Sequence, residues 1–154
     1  VREQMYIHNK EGGNMIISQK KVSIKNHETA AAVLRDALYK IEDADYKEVM
    51  LVAGLNNKNV VQYIDVAHIG TASYSPASMR DLFRKAIIAG AVRVIVAHNH
   101  PSGETEMSPE DVAVTKKLVE AGKIVDVEVL DHIILTRDGH LSVRETTEIW
   151  NEVR

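Results

Sequence analysis

The sequence has no cysteine, and only three prolines, eight glycines, one tryptophan and one phenylalanine in 154 residues. Without cysteine there is no disulfide framework and no thiolate metal site, so any transition metal must be held by histidine and carboxylate side chains. That absence also fits a reducing compartment. No charge of one sign dominates. The 19 Lys and Arg residues against 22 Asp and Glu give a formal net charge of −3 and a pI near 6.2, which supplies no global attraction to nucleic acid or to an anionic membrane surface. Long apolar runs are missing as well. Stretches such as VMLVAG and VRVIVA fall far short of the roughly 20 residues a membrane span requires, and no signal-peptide pattern opens the chain. A cytoplasmic protein without membrane contact is the expectation. At 45% hydrophobic residues, the chain is long enough for one core and short for two domains.

Hydrophobic periodicity divides it into elements. Residues 1–27 are polar, with a Gly12-Gly13 breaker and one apolar run at Met15 to Ile17, and read as an N-terminal arm with one edge strand. From Glu28, residues Ala30, Val33, Leu34, Ala37, Leu38 and Ile41 recur at helical spacing behind Asn26, a plausible cap. EVMLVAGL (48–55) and VVQYIDVAHI (60–69), joined by NNKN, predict a hairpin. After a small-residue connection at Gly70 to Ser75, Met79, Leu82, Phe83, Ala86 and Ile87 mark one face of a helix that stops at Gly90. AVRVIVA (91–97) predicts a buried strand, Pro109 to Gly122 a third helix, and VDVEVLDHIIL (125–135) another strand. Ser142-Val143-Arg144-Glu145 has the form of a capping box before a short last helix. The order α-β-β-α-β-α-β-α implies an α/β fold, a mixed sheet with helices on its faces. The domain proper spans 28–154.

The chemistry concentrates in AHNHPSGETEMSPEDVAVT, residues 97–115. His98 follows the predicted buried strand, at the strand end where open α/β sheets place their crevices. His98 and His100, at i and i+2 in extended chain, project to one side and can converge on one ion. Ser108-Pro109-Glu110-Asp111 reads as N-cap, proline at N1 and carboxylate at N3, which would hold Asp111 in a fixed position. Two histidines and one carboxylate, with a fourth position for water, make up a catalytic zinc site suited to amide hydrolysis. The cap alone also explains Asp111. From the residues by themselves, a metal centre and a polar loop before a capped helix both stand. Two other patterns fail: an HNH nuclease draws its residues from distant parts of a hairpin-helix unit, and a His-x-His amidohydrolase barrel needs about 250 residues.

His-x-His, seven residues, Ser, two residues, Asp is the spacing of His98, His100, Ser108 and Asp111, and it resembles the JAMM (MPN+) metalloprotease motif. HNHPSG followed by SPED and LDHIIL is similar to the RadC branch of that superfamily, over about Glu28 to Ser142. The resemblance implies a JAB/MPN (cytidine-deaminase-like) architecture, with zinc held by His98, His100, Asp111 and a water. It implies that Ser108 hydrogen-bonds the developing oxyanion or orients that water. It also implies that Glu48, in KEVMLVAGLNNKN, takes the proton from zinc-activated water and passes it to the leaving amine. Pattern alone does not choose Glu48 over Glu104, Glu106 or Asp131. The implied function is zinc-dependent cleavage of peptide or isopeptide bonds in a substrate the sequence does not name. A DNA-associated repair accessory or nuclease and a non-catalytic scaffold are the alternatives, and the net charge gives DNA binding no support. RadC proteins commonly carry a helix-hairpin-helix-like region ahead of this domain. The 27 leading residues do not supply it, so the chain is either a stand-alone member or one from which that region was removed, as Val1 in place of Met allows.

Asp131 and His132 read as a hydrogen-bonded structural pair, with a place behind the metal ligands open to them. His8, His27, His68 and His140 read as surface or loop residues, and Arg80 and Arg84 as a solvated helix face.

Overall fold

The computed structural model describes residues 21–70 and 78–153, and ahead of them the backbone of two strands, β1 (Met5–His8) and β2 (Asn14–Ser18). The Gly12-Gly13 breaker, Val1 and most of the connection after Gly70 lie outside the described residues. There follow α1 (His27–Leu38), β3 (Glu48–Leu55), β4 (Val61–Gly70), α2 (Met79–Ala89), β5 (Arg93–Asn99), α3 (Pro109–Ile124), β6 (Glu128–Leu135), β7 (His140–Ser142), α4 (Val143–Thr146) and α5 (Ile149–Glu152). The strands form one seven-stranded mixed sheet in the order β2-β1-β4-β3-β5-β6-β7. β3 runs antiparallel to both β4 and β5, while β5 and β6 are parallel and are joined through α3, the crossover that a parallel pair requires. This is the expected mixed α/β arrangement. No helix among the described residues is long and apolar enough to cross a membrane.

Local chemistry sets the ends of the helices. Asn26 Oδ1 accepts from the Thr29 N–H at 2.9 Å to open α1. Ser78 caps α2, and Gly90 closes it at φ 68°, a left-handed conformation that favours glycine. Ile87, expected on the buried face of α2, is 60% exposed; the buried face is Leu82, Phe83 and Ala86. Ile87 follows Ala86 by one residue, about 100° around the helix, and that rotation carries it off the sheet.

The apolar run of β3 is buried on both faces and alternates between two cores. Val49, Leu51, Ala53 and Leu55 pack towards α1, and Met50 and Val52 towards α2 and α3. β5 divides in the same way, with Ile95 and Ala97 on the α1 side and Val94 and Val96 on the other. In β6 the alternation breaks. Val94 pairs with Val129 but Ile95 pairs with Asp131, so Leu130 is a bulge residue. Beyond a one-residue bulge every side chain changes face. Val129 and Ile134 therefore share the α2/α3 core despite opposite parity in sequence. His132 is turned to that same side, opposite Val96, and the pair after next is His98 with Ile134.

Three further details differ from the sequence reading. The N-terminal arm holds two strands rather than one: β1 and β2 pair antiparallel, and β1 lies parallel to β4. The third helix continues to Ile124, past Gly122. That glycine serves close packing, since a Cβ there would sit 2.5 Å from Val127 O and 3.0 Å from Val129 Cγ2. Gly122→Ala must push α3 off β6, and we expect it to destabilise the domain by roughly 1–3 kcal/mol, read as a lower midpoint in urea with an unchanged slope; an unaltered midpoint would remove the close contact from the account. Finally, the histidines expected on surface or loops lie in elements rather than loops, and His27, His68 and His140 are part-exposed there. His68 is in β4, His8 ends β1, and His27 at the start of α1 meets His140 of β7 at 3.0 Å.

Candidate metal centre

Sheet pairing and one helix start bring the site together. His98 is the penultimate residue of β5 and faces α3, and His100 follows two residues later on the same side. Ser108 caps α3 by accepting from the Asp111 N–H at 3.1 Å, while its own N–H donates to Asp111 Oδ2 at 2.8 Å. This reciprocal box, with Pro109 at the first helical position, fixes the Asp111 carboxylate beside the two rings. Asp111 Oδ1 lies 3.1 Å from His98 Nε2, Asp111 Oδ2 lies 3.3 Å from His100 Nε2, and the two Nε2 atoms are 2.9 Å apart. One donor atom from each of the three lies within 4.8 Å of the others, a grouping that could hold a metal ion.

Donor and acceptor counting assigns the ring protons. Thr115, one turn after Asp111, places its hydroxyl 2.7 Å from Asp111 O and 2.7 Å from His132 Nδ1. A carbonyl only accepts, so Thr115 spends its single proton there and accepts from His132 Nδ1–H. Burial holds His132 well below the ordinary histidine value, and in the neutral ring Nε2 is then an acceptor. It lies 2.7 Å from His98 Nδ1, so the His98 proton sits on Nδ1 and its Nε2 presents a lone pair. His100 Nδ1 faces the Glu104 carbonyl at 2.9 Å, which directs the His100 lone pair to the same point. Each imidazole thus offers Nε2 with its other nitrogen already engaged, the arrangement by which buried partners orient metal-binding histidines.

The electrostatics agree. Burial of the Asp111 carboxyl favours its neutral form, yet a proton taken up at Nε2 of His100 or His98, where it competes with a cation for the same lone pair, and the Ser108 N–H hold it far below the usual carboxylate range. The Asp111 carboxylate in turn raises His100, because it favours positive charge at that Nε2. The cluster selects positive charge at its centre, a demand that a proton or a divalent cation could meet.

A surface cleft of about 590 Å³ opens on the site, lined by Glu48, His100, Pro101, Ser102, Ser108, Glu110 and Asp111. Met50 pairs with His98 across β3 and β5. Carrying that antiparallel register two residues further sets Glu48 opposite His100, at the half-buried first position of β3. The structure therefore gathers all five residues singled out in the sequence, Glu48, His98, His100, Ser108 and Asp111. The other carboxylates weighed against Glu48 are absent from that lining, and Asp131 accepts from Ser142 Oγ, Arg144 N–H and His132 N–H instead. Sequence reasoning missed Thr115, whose i+4 spacing from Asp111 was the available signal, and Asn99, the middle letter of HNH.

An α/β domain with a two-histidine, one-carboxylate cluster at the end of its central strands is the class that fold and site define. A family model described as the RadC-like JAB domain matches residues 24–148, and the chain belongs to that family. A UPF0758 protein of Cyanothece sp. is 47% identical over 104 residues, covering 62% of this chain and 43% of the relative. One from Trichormus variabilis is 44% identical over 106 residues, 69% of this chain and 44% of the relative. One from Chloroflexus aggregans is 35% identical over 127 residues, 82% and 54% of the two. The chain spans about half the length of the curated relatives it matches.

Proposed function

We propose that this domain is a zinc-dependent hydrolase of peptide or isopeptide bonds, with His98, His100 and Asp111 as metal ligands. The observation that carries the reading is the convergence of two Nε2 atoms on a carboxylate, with each ring's Nδ1 engaged by another partner. The donor set is nitrogen and oxygen only, which suits zinc in a site that keeps a position open. Zinc held by His98, His100 and Asp111 would supply an acidified water, with a pKa of about 7, and a Lewis acid for the scissile carbonyl. Glu48, across from His100 on the cleft wall, accepts the proton of the attacking water and returns it to the leaving amine. Ser108 Oγ uses a lone pair on the Asp111 N–H, and its hydroxyl proton, without an acceptor among the described residues, remains to donate to the developing oxyanion. Asp111 keeps its place through the capping box, which would leave its charge free to face the ion.

The cleft lining also bears on substrate class. It carries three carboxylates, Glu48, Glu110 and Asp111, and no Lys or Arg among the described residues. A phosphodiester backbone is held by cations, so an amide substrate fits this wall better than nucleic acid does. Zinc-loaded protein tested on peptide, isopeptide and DNA substrates is expected to cleave amide bonds and leave DNA intact. DNA cleavage, or zinc-loaded protein inert on every amide, would overturn the reading.

His132 supports the site by accepting from His98. Replacing it with phenylalanine leaves His98 Nδ1–H without that partner, and zinc affinity is expected to fall roughly 10–100-fold, measured by competition with a chromophoric chelator. Unchanged affinity would show that the packing around His98 orients it alone.

A further inference from the structure

We infer that Asn99 is the positioning residue that sets the distance between the catalytic carboxylate and the metal ligands. It lies between His98 and His100 in sequence, but its side chain points to the opposite face of the sheet and is 1% exposed. There it meets the loop between α1 and β3. Asn99 Oδ1 accepts from the Val49 N–H at 2.6 Å, and Asn99 Nδ2 donates to Lys47 O and to Ala44 O, each at 2.8 Å. Lys47 O and Val49 N belong to the two peptide groups on either side of the Glu48 Cα. One amide therefore holds both peptide planes from which the Glu48 side chain departs, and the same residue's backbone carries the two histidines. Ala44 of the loop also packs into the α1-side core, while the polar tie of Arg137 to Asp45 at 2.7 and 2.6 Å joins side chains that are 61% and 43% exposed, where screening leaves ion pairs weak.

The chemistry of the contact selects asparagine. Three partners are served by one acceptor and two donors on a short side chain. Aspartate keeps the size and the acceptor for Val49 but has no donors, so it faces two carbonyl oxygens with a carboxylate. Because Glu48 and the ligands sit on separate strands, their separation depends on this lateral clamp as well as on the ladder. A shift of about 1 Å in such a group can lower a rate on the order of 10²-fold.

The kinetic part of this inference rests on Glu48 acting as proposed above. In the Asn99→Asp protein we expect zinc content equal to wild type, kcat lowered on the order of 10²-fold and KM little changed. The Glu48→Gln, Asn99→Asp double variant should be no slower than Glu48→Gln alone, because Asn99 acts through Glu48. Full additivity of the two losses, or an unchanged kcat in Asn99→Asp, would overturn it. A readout independent of activity is amide hydrogen exchange. In wild type the Val49 amide should be as protected as those of Leu51 and Val96 inside the sheet, and in Asn99→Asp its protection should drop selectively. If wild type cleaves no amide, the hydrolase reading fails while exchange still decides the clamp. Rapid exchange at Val49 in wild type would refute the clamp even if no variant folds.

Discussion

His98→Ala and His100→Ala are each expected to abolish stoichiometric zinc binding, and to differ in what else they damage. Removing either ring leaves one imidazole and a carboxylate, too few ligands for a site whose tetrahedral set needs three from the protein. His100 lies at the cleft edge, and its Nδ1 partner is the Glu104 carbonyl in an exposed loop. Water replaces that contact, and Asp111 Oδ2, which also loses the His100 ring, still accepts from the Ser108 N–H, so metal-free His100→Ala should lose less stability than metal-free His98→Ala. His98 is buried against His132, which is completely enclosed. Truncating His98 strands the His132 Nε2 acceptor away from water, at a cost of roughly 1–3 kcal/mol. Metal-free His98→Ala should therefore melt lower than metal-free His100→Ala, and zinc should raise the midpoint of wild type only, since a ligand bound to the native state alone stabilises it by mass action. Elemental analysis together with melting curves recorded with zinc and with chelator checks both halves. Full zinc occupancy in either variant would place the metal elsewhere.

Glu48→Gln should separate binding from turnover. Glutamine matches glutamate in size and keeps the backbone contacts at Lys47 and Val49, which Asn99 supplies, but it accepts no proton in the working pH range. Zinc content and melting should stay at wild-type levels, while amide hydrolysis falls on the order of 10²–10⁴-fold, the range that positioned general acid–base groups contribute. Rates of purified protein on the best peptide or isopeptide substrate, with metal content measured on the same sample, give the answer. A wild-type rate would remove Glu48 from the mechanism. Zinc loss in parallel with activity would make it a ligand.

Much of this site could be read from the linear order because its parts are local. The spacing from His98 to Asp111 lies on one strand end and one helix start, and the Ser108-Pro109 cap carries its own sequence signature. The hairpin of β3 and β4 was equally legible, as a turn between an apolar run and a β-branched one. Glu48 came only with the family resemblance, because its place opposite His100 depends on a strand register that no local pattern encodes. A place for His132 behind the ligand cluster stood open in the sequence and is where it lies, 2.7 Å from His98, but the bulge at Leu130 hid the geometry: simple alternation along β6 would set it on the α1 side. Asn99 was hidden by its neighbours, since a strand alternates faces and the residue between two ligands works on the other surface of the sheet. Gly122 resembled a helix stop, because a glycine late in a helical pattern has two meanings and only the approach of Val127 O tells them apart.

The central claim is that His98, His100 and Asp111 form one zinc site, and equilibrium titration of zinc into metal-stripped wild-type protein tests it most directly. The geometry predicts saturable uptake of one ion per chain, displaced by a strong chelator and missing from His100→Ala under identical conditions. A flat titration, or uptake that His100→Ala leaves untouched, would contradict it.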